Sequence, residues 1–233
     1  MKLCVIPARG GSKRIKNKNI KFFVQKEIIY YSIKAALNSK LFDKIIVSTD
    51  SKAIAKIAEK YGAEVPFVRP ANISDDQTAT IPVIKHAIKF YESQNILIDD
   101  VCCIYATAPF VTADILERAK SLLGSSRPDS VVFAATSFPH PIQRSLILDS
   151  DGYSTAMDPV SISMRSQDLV EAYHDAGQFY WASQKAWNGS GNLLEDARPL
   201  ILPRWSVQDI DTEEDWRRAE LMHAALYEDF KNG

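Results

Sequence analysis

Short apolar runs rich in β-branched residues alternate along this chain with stretches of helical spacing, and that alternation narrows the folds open to it more than any other feature. Lys2 to Pro7, Lys44 to Ser48, Val101 to Tyr105 and Ser130 to Ala135 have the length and composition of buried strands. Between them, Glu27 to Leu37, Ala53 to Tyr61, a segment opening at Thr80-Ile81-Pro82, and Ala113 to Leu123 read as helices. Gly62 suits the left-handed position that ends a helix, and Pro82 suits a first turn. The repetition predicts one α/β domain of three layers with a mostly parallel sheet, whose ligands bind beyond the carboxyl ends of the strands. Phe138 to Tyr173 breaks the rhythm with Pro139, Pro141, Pro159 and an Asp149-Ser150-Asp151-Gly152 turn, which predicts an excursion from the sheet. Gln178 to Ala182 and Leu200 to Leu202 are expected as late strands, and Thr212 as the cap of a final helix running toward Phe230.

Charge is unevenly spread. The formal net charge is −1, yet residues 1 to 26 hold eight Lys or Arg and no Asp or Glu, while the remainder is net acidic. So local a basic segment points to a bound anion, and not to a nucleic-acid surface covering the domain. The competing reading is a solvated basic loop, made less attractive by the interspersed Pro7, Gly10 and Gly11. No apolar run approaches the roughly 20 residues that cross a bilayer, and Leu3 to Ile6 is too short for the apolar centre of a signal peptide. A cytoplasmic location with no membrane partner is therefore expected. Cys4, Cys102 and Cys103 lie in apolar strand-like runs without CxxC spacing, so they are expected as reduced core residues.

The first strand runs directly into Ala8-Arg9-Gly10-Gly11-Ser12-Lys13. Its glycines let backbone amides approach an anion, with Arg9 and Lys13 supplying positive charge, so the loop reads as a phosphate cradle. It is neither a Walker loop nor a dinucleotide fingerprint, because the spacings differ. Asp209 and Asp211 stand two apart after an apolar run, which in extended backbone turns both carboxylates to one side, as a hard cation requires. A surface turn with Asp211 and Thr212 capping the next helix fits the same spacing. Asp75 and Asp76 diverge in an extended chain and read as loop residues, and His86 and His223 as packing or surface residues without ligand-spaced partners. His174 beside Asp175 is held as a substrate contact.

The block from Ile6 to Asn19 resembles the opening motif of the CMP-acylneuraminate synthetase family, and the resemblance continues through Ser48-Thr49-Asp50, Arg69-Pro70, Ser74-Asp75-Asp76, Thr107-Ala108-Pro109 and Asp209-Ile210-Asp211. It implies a Rossmann-like nucleotidyltransferase fold and a CTP-dependent transfer, with Ala8, Arg9, Gly10, Gly11, Ser12, Lys18, Asn19, Arg69 and Thr80 at the nucleotide. It also implies Mg²⁺ on Asp209 and Asp211, catalytic roles for Arg9, Lys18 and Asp211, and a homodimer formed through the excursion. Three blocks depart from the sialic acid branch, namely Tyr105-Ala106-Thr107-Ala108-Pro109, Gln143-Arg144 after His140-Pro141, and Tyr173-His174-Asp175-Ala176-Gly177. Those blocks resemble the branch acting on pseudaminic acid, a related nine-carbon sugar. That likeness implies sugar contacts from Tyr105, Gln143, Arg144, Arg165, His174 and Phe179, with Arg144 or Arg165 at the sugar carboxylate and Phe138 nearby. Legionaminic or N-acetylneuraminic acid as the sugar, or a nucleotide-sugar binder that has lost its chemistry, are the alternatives.

Overall fold

In the computed structural model, which describes residues 1–189 and 192–227, the alternation resolves into strands and helices close to those expected. β1 (Lys2–Pro7) leads through a small hairpin, β2 (Phe22–Phe23) and β3 (Lys26–Glu27), to α1 (Ile29–Ser39), β4 (Lys44–Ser48) and α2 (Lys52–Lys60). Then come α3 (Thr80–Glu92), β5 (Asp100–Ile104), α4 (Ala113–Gly124) and β6 (Val132–Ser137). The excursion carries β7 (Leu146–Leu148) and β8 (Ser154–Ala156), and the chain closes with β9 (Tyr173–Ser183), α5 (Gln184–Asn188), β10 (Arg198–Ile201) and α6 (Glu213–Tyr227). The expected continuation toward Phe230 lies outside the described residues.

Local chemistry sets the boundaries. Ser51 and Thr112 cap α2 and α4 by accepting the amides of Ile54 and Ile115 through their hydroxyls. Gly62, at φ +94, takes the left-handed conformation that closes α2. The first helix starts two residues later than its apolar pattern, because Lys26 and Glu27 are drawn into pairing with Phe22 and Phe23.

Strand order in the main sheet is β10-β6-β9-β5-β1-β4. β1 pairs in parallel with β4 and β5, and β10 with β6, whereas β9 runs antiparallel between β5 and β6. The sheet is thus mostly parallel, with one reversed strand. Alternate side chains of each strand face opposite helical layers. Cys4, Ile6, Val47 and Cys102 pack with α1, α2 and α4, whereas Leu3, Val5, Ile46 and Cys103 pack with α3 and α5. All three cysteines are buried free thiols, as their apolar runs implied. A third cluster joins Phe23 and Ile28 to Phe110, Ile210 and Trp216, which docks α6 beside the segment after β1.

Candidate active site

The carboxyl ends of β1 and β5 open into a cleft of about 430 Å³. Arg9, Ser12, Lys13, Arg14, Lys18 and Asn19 line it from the segment after β1. Tyr105 to Thr107 close it from the end of β5, Thr80 from the start of α3, and Asp211 from the segment before α6. This is where a parallel sheet leaves room for a ligand.

The loop after β1 is held from behind. The Asn19 side-chain amide donates to the Arg9 carbonyl at 2.9 Å, and the Gly10 amide donates to Asp50 Oδ1 at 2.8 Å. The Gly10 donor is thus already taken by the protein. A Cβ at Gly10 would stand 3.1 Å from Ser51 Cβ, so this glycine lets the loop pack against the end of β4. Ala8 is buried, its amide bound to the Ser48 carbonyl, and Gly11 lies exposed. Neither Ala8, Gly10 nor Gly11 lines the cleft. Side-chain cations, not a ring of free glycine amides, therefore supply its positive field.

Arg69 is the most constrained of them. Its backbone amide pairs with the Thr49 carbonyl beyond β4, leaving the side chain only 4% exposed in the cleft wall. Nε and Nη2 have no hydrogen-bond partner among the described residues, and the Asp50 carboxylate stands 4.0 Å from Nη2. Burial pushes the guanidinium pKa down; Asp50 opposes the shift and the Arg9 charge adds to it. A buried cation with unsatisfied donors beside a second cation calls for an anionic or carbonyl oxygen.

At the opposite rim, Asp211 Oδ1 meets Arg14 Nη2 at 2.7 Å and Lys18 Nζ at 3.4 Å, and Lys18 also donates to the Ile210 carbonyl at 2.6 Å. Asp209, two residues earlier, has no hydrogen bond or ion pair on its carboxylate among the described residues, and it does not line the cleft. Its pKa is raised, first by burial and then by the charge of Asp211, with Lys18 opposing. Arg14 was not singled out in the sequence; its place within the basic block was the available signal. Lys13 pairs with Asp76, tying the loop after β1 to the polar loop before α3, while Asp75 accepts the Gln77 and Thr78 amides as a turn residue does.

The sugar-side residues separate into three places. Tyr105 faces the cleft, its hydroxyl 2.9 Å from Thr80 Oγ1, and burial raises its pKa. Gln143, Arg144, Arg165 and His174 lie in or beside the excursion. Gln143 donates to the Val170 carbonyl, Arg144 donates to Ser166 Oγ, Arg165 pairs with Asp168, and His174 packs on Phe138 with ring centroids 4.8 Å apart. A separate hollow of about 280 Å³ lies nearby, lined by Phe138, Ser166 and Val170 among others; Gln143, Arg144, Arg165 and His174 do not line it, and it shares no lining residue with the cleft. Phe179 corrects the expectation for it. Its side chain is fully buried in the core layer that β9 shares with α1 and α4, so it has no surface to offer a sugar. His174 and Asp175 form no imidazole–carboxylate pair either: His174 Nδ1 meets the Asp175 carbonyl, while the carboxylate binds Tyr180 and the Gly177 amide.

The site is thus a basic cleft at the carboxyl edge of a mostly parallel α/β sheet, with Asp211 at its rim. The family model described as Cytidylyltransferase matches residues 3–180, and the chain belongs to that family. A pseudaminic acid cytidylyltransferase of Campylobacter jejuni is 44% identical over 97% of each chain. A CMP-N,N'-diacetyllegionaminic acid synthase of Legionella pneumophila is 30% identical over 94% of this chain and 95% of its own. Among solved structures, a CMP:2-keto-3-deoxy-manno-octonic acid synthetase complexed with CTP shares the fold at TM-score 0.70 and 14% identity, over 97% of this chain and 99% of that one.

Proposed function

We propose that this chain transfers CMP from CTP to the anomeric hydroxyl of pseudaminic acid, releasing pyrophosphate, as a step in nonulosonic acid glycan biosynthesis. The observation that carries the nucleotide half is Arg69, buried with two unpartnered nitrogens in a cleft already lined by Arg9, Ser12, Lys18 and Asn19. The sugar half rests on 44% identity along 97% of the chain to a pseudaminic acid enzyme. In this reaction the hydroxyl oxygen attacks the α-phosphorus in line, and the bond to the β-phosphate oxygen breaks. Arg9 and Lys18 offset charge on the phosphates, and the cleft wall orients the two substrates.

Asp211 at the rim and Asp209 two residues before it fit Mg²⁺. Asp209 is a hard oxygen donor with no ion pair among the described residues, and Asp211 presents a second. Among the described residues no group of three or more His, Cys, Asp or Glu forms a metal cluster. Mg²⁺ commonly takes one or two protein carboxylates and completes its shell with water and substrate phosphates. When bound, Mg²⁺ supplies charge neutralisation at the α-phosphate and eases ionisation of the sugar hydroxyl. Arg14 and Lys18 hold Asp211 until phosphate competes for them, so nucleotide entry would free that carboxylate.

A homodimer through the excursion completes the reading. Leu146, Ile147, Leu148, Tyr153, Met157 and Val160 are exposed there, an apolar strip more suited to a partner than to water. Dimerisation would also give Arg144, Arg165 and His174 a second cleft to serve. A pyrophosphate-release assay with CTP, Mg²⁺ and a panel of nonulosonic acids tests the whole reading. Turnover with pseudaminic acid is expected, and no release with any member of the panel would overturn it. Preference for legionaminic or N-acetylneuraminic acid would overturn the sugar alone.

A further inference from the structure

The strand that reverses the sheet also carries its largest irregularity. Phe133 pairs with Tyr180 and Ala135 with Asp175, so β9 spends four residues, Ala176 to Phe179, opposite the single Ala134 of β6. Bulges of this kind re-aim side chains and gather beside active sites. This one is tied down on every side. Asp175 Oδ1 accepts the Gly177 amide at 2.9 Å, and its other oxygen accepts the hydroxyl of buried Tyr180. The Gln178 carbonyl accepts the Tyr105 amide at 2.9 Å, and its side-chain amide donates to the Ser206 carbonyl at 2.9 Å. Gly177 is left at φ +61, facing Asp209.

A Cβ at Gly177 would lie 3.1 Å from Asp209 Cγ and 3.3 and 3.4 Å from its two oxygens. Near-equal distances to all three atoms mean that the carboxylate lies flat against the glycine. Backbone conformation and contact therefore both favour glycine at this point.

We propose that the β9 bulge is a positioning device for the metal-binding aspartate: Asp175 fixes the Gly177 backbone, and Gly177 forms the floor on which the Asp209 carboxylate rests. Asp175 and Gly177 are positioning residues, acting through Asp209 without touching substrate. The inference rests on the reading of Asp209 as a Mg²⁺ ligand.

Mn²⁺ is a suitable probe, its free concentration read from its paramagnetic resonance signal during titration of the protein at saturating CTP without sugar. Gly177→Ala and Asp175→Ala should each weaken Mn²⁺ binding by about tenfold or more, the usual consequence of losing support around a ligand. Asp175→Asn keeps an acceptor for the Gly177 amide and should retain most of the affinity. CTP affinity measured in EDTA should stay within about twofold for all three, since the cleft wall is untouched. Asp209→Ala separates the two levels of the inference. Unchanged Mn²⁺ affinity in Asp209→Ala would remove the metal reading itself. Loss of binding there, with wild-type affinity in Gly177→Ala, would overturn the positioning role alone. Should Gly177→Ala fail to fold by circular dichroism, Asp175→Ala decides, and wild-type Mn²⁺ affinity in that variant overturns the proposal.

Discussion

Arg69 shows how one residue can be costly to the empty protein and useful to the loaded one. Nε and Nη2 lack hydrogen-bond partners among the described residues, with Asp50 only at 4.0 Å from Nη2, and leaving such groups without hydrogen bonds costs about 1–3 kcal/mol each. Arg69→Met should therefore leave the melting temperature of the ligand-free protein unchanged or higher, while raising KM for CTP by about tenfold to a hundredfold. A sharp fall in melting with normal KM would make Arg69 structural. Asp211→Asn is expected to lower turnover by about 10² to 10³, the scale of a lost electrostatic group at a reacting centre. Undiminished turnover of that variant, or of the wild type in excess EDTA, would sink the metal assignment.

At the scale of elements, the start of α6 matters because it delivers Asp211 to the rim. Thr212 and Asp215 cap it reciprocally, Thr212 Oγ1 accepting the Asp215 amide at 3.2 Å and Asp215 Oδ2 accepting the Thr212 amide at 2.8 Å. Asp215 Oδ2 also accepts the Asp211 amide at 3.1 Å, so the cap grips the residue that faces the cleft. Partial burial pushes the Asp215 pKa up, but these hydrogen bonds together hold it below its ordinary value. A carboxyl depressed on folding stabilises the protein above its unfolded pKa of about 4, and the contribution is lost as pH falls through the lower folded value. Thr212→Ala should cost about 1 kcal/mol near neutral pH. Asp215→Asn should lower the neutral melting temperature and flatten its decline between about pH 5 and pH 3. Identical pH profiles for variant and wild type would show that the cap does not contribute.

For the molecule as a whole, the exposed apolar strip on β7 predicts a dimer at micromolar concentrations in analytical ultracentrifugation. Leu146→Asp with Leu148→Asp, two neighbours on one face of that strand, should yield monomers, since burying two carboxylates in an interface is unfavourable. A monomeric wild type would rule the dimer out. Substrate choice also belongs to this scale, because the sugar-side residues divide between cleft and excursion. Pseudaminic acid should exceed N-acetylneuraminic acid in kcat/KM by about 10² to 10⁵, from two or three mispaired polar groups at about 1–3 kcal/mol each. Equal use of both sugars would break the sugar assignment and leave the cytidylyltransferase intact.

What the sequence by itself determined is local or strung along the chain. β4 matches its β-branched run residue for residue, α2 ends at the glycine chosen to end it, and the excursion begins where the prolines interrupt the rhythm. The basic loop was legible for the same reason, whereas the spacing of Asp209 and Asp211 left metal binding and helix capping open and only the family resemblance pointed to metal. The tertiary structure decided everything that depends on who meets whom. Side-chain alternation is the same in either strand direction, so nothing in Gln178 to Ala182 announced that β9 runs backwards between β5 and β6. Phe179 reads as an available aromatic until the packing of α1 and α4 on the sheet buries it. Asp175 stands beside His174 in the chain, yet its carboxylate binds Tyr180 and Gly177, because neighbouring residues of a strand point to opposite faces and a bulge can bring more distant ones together.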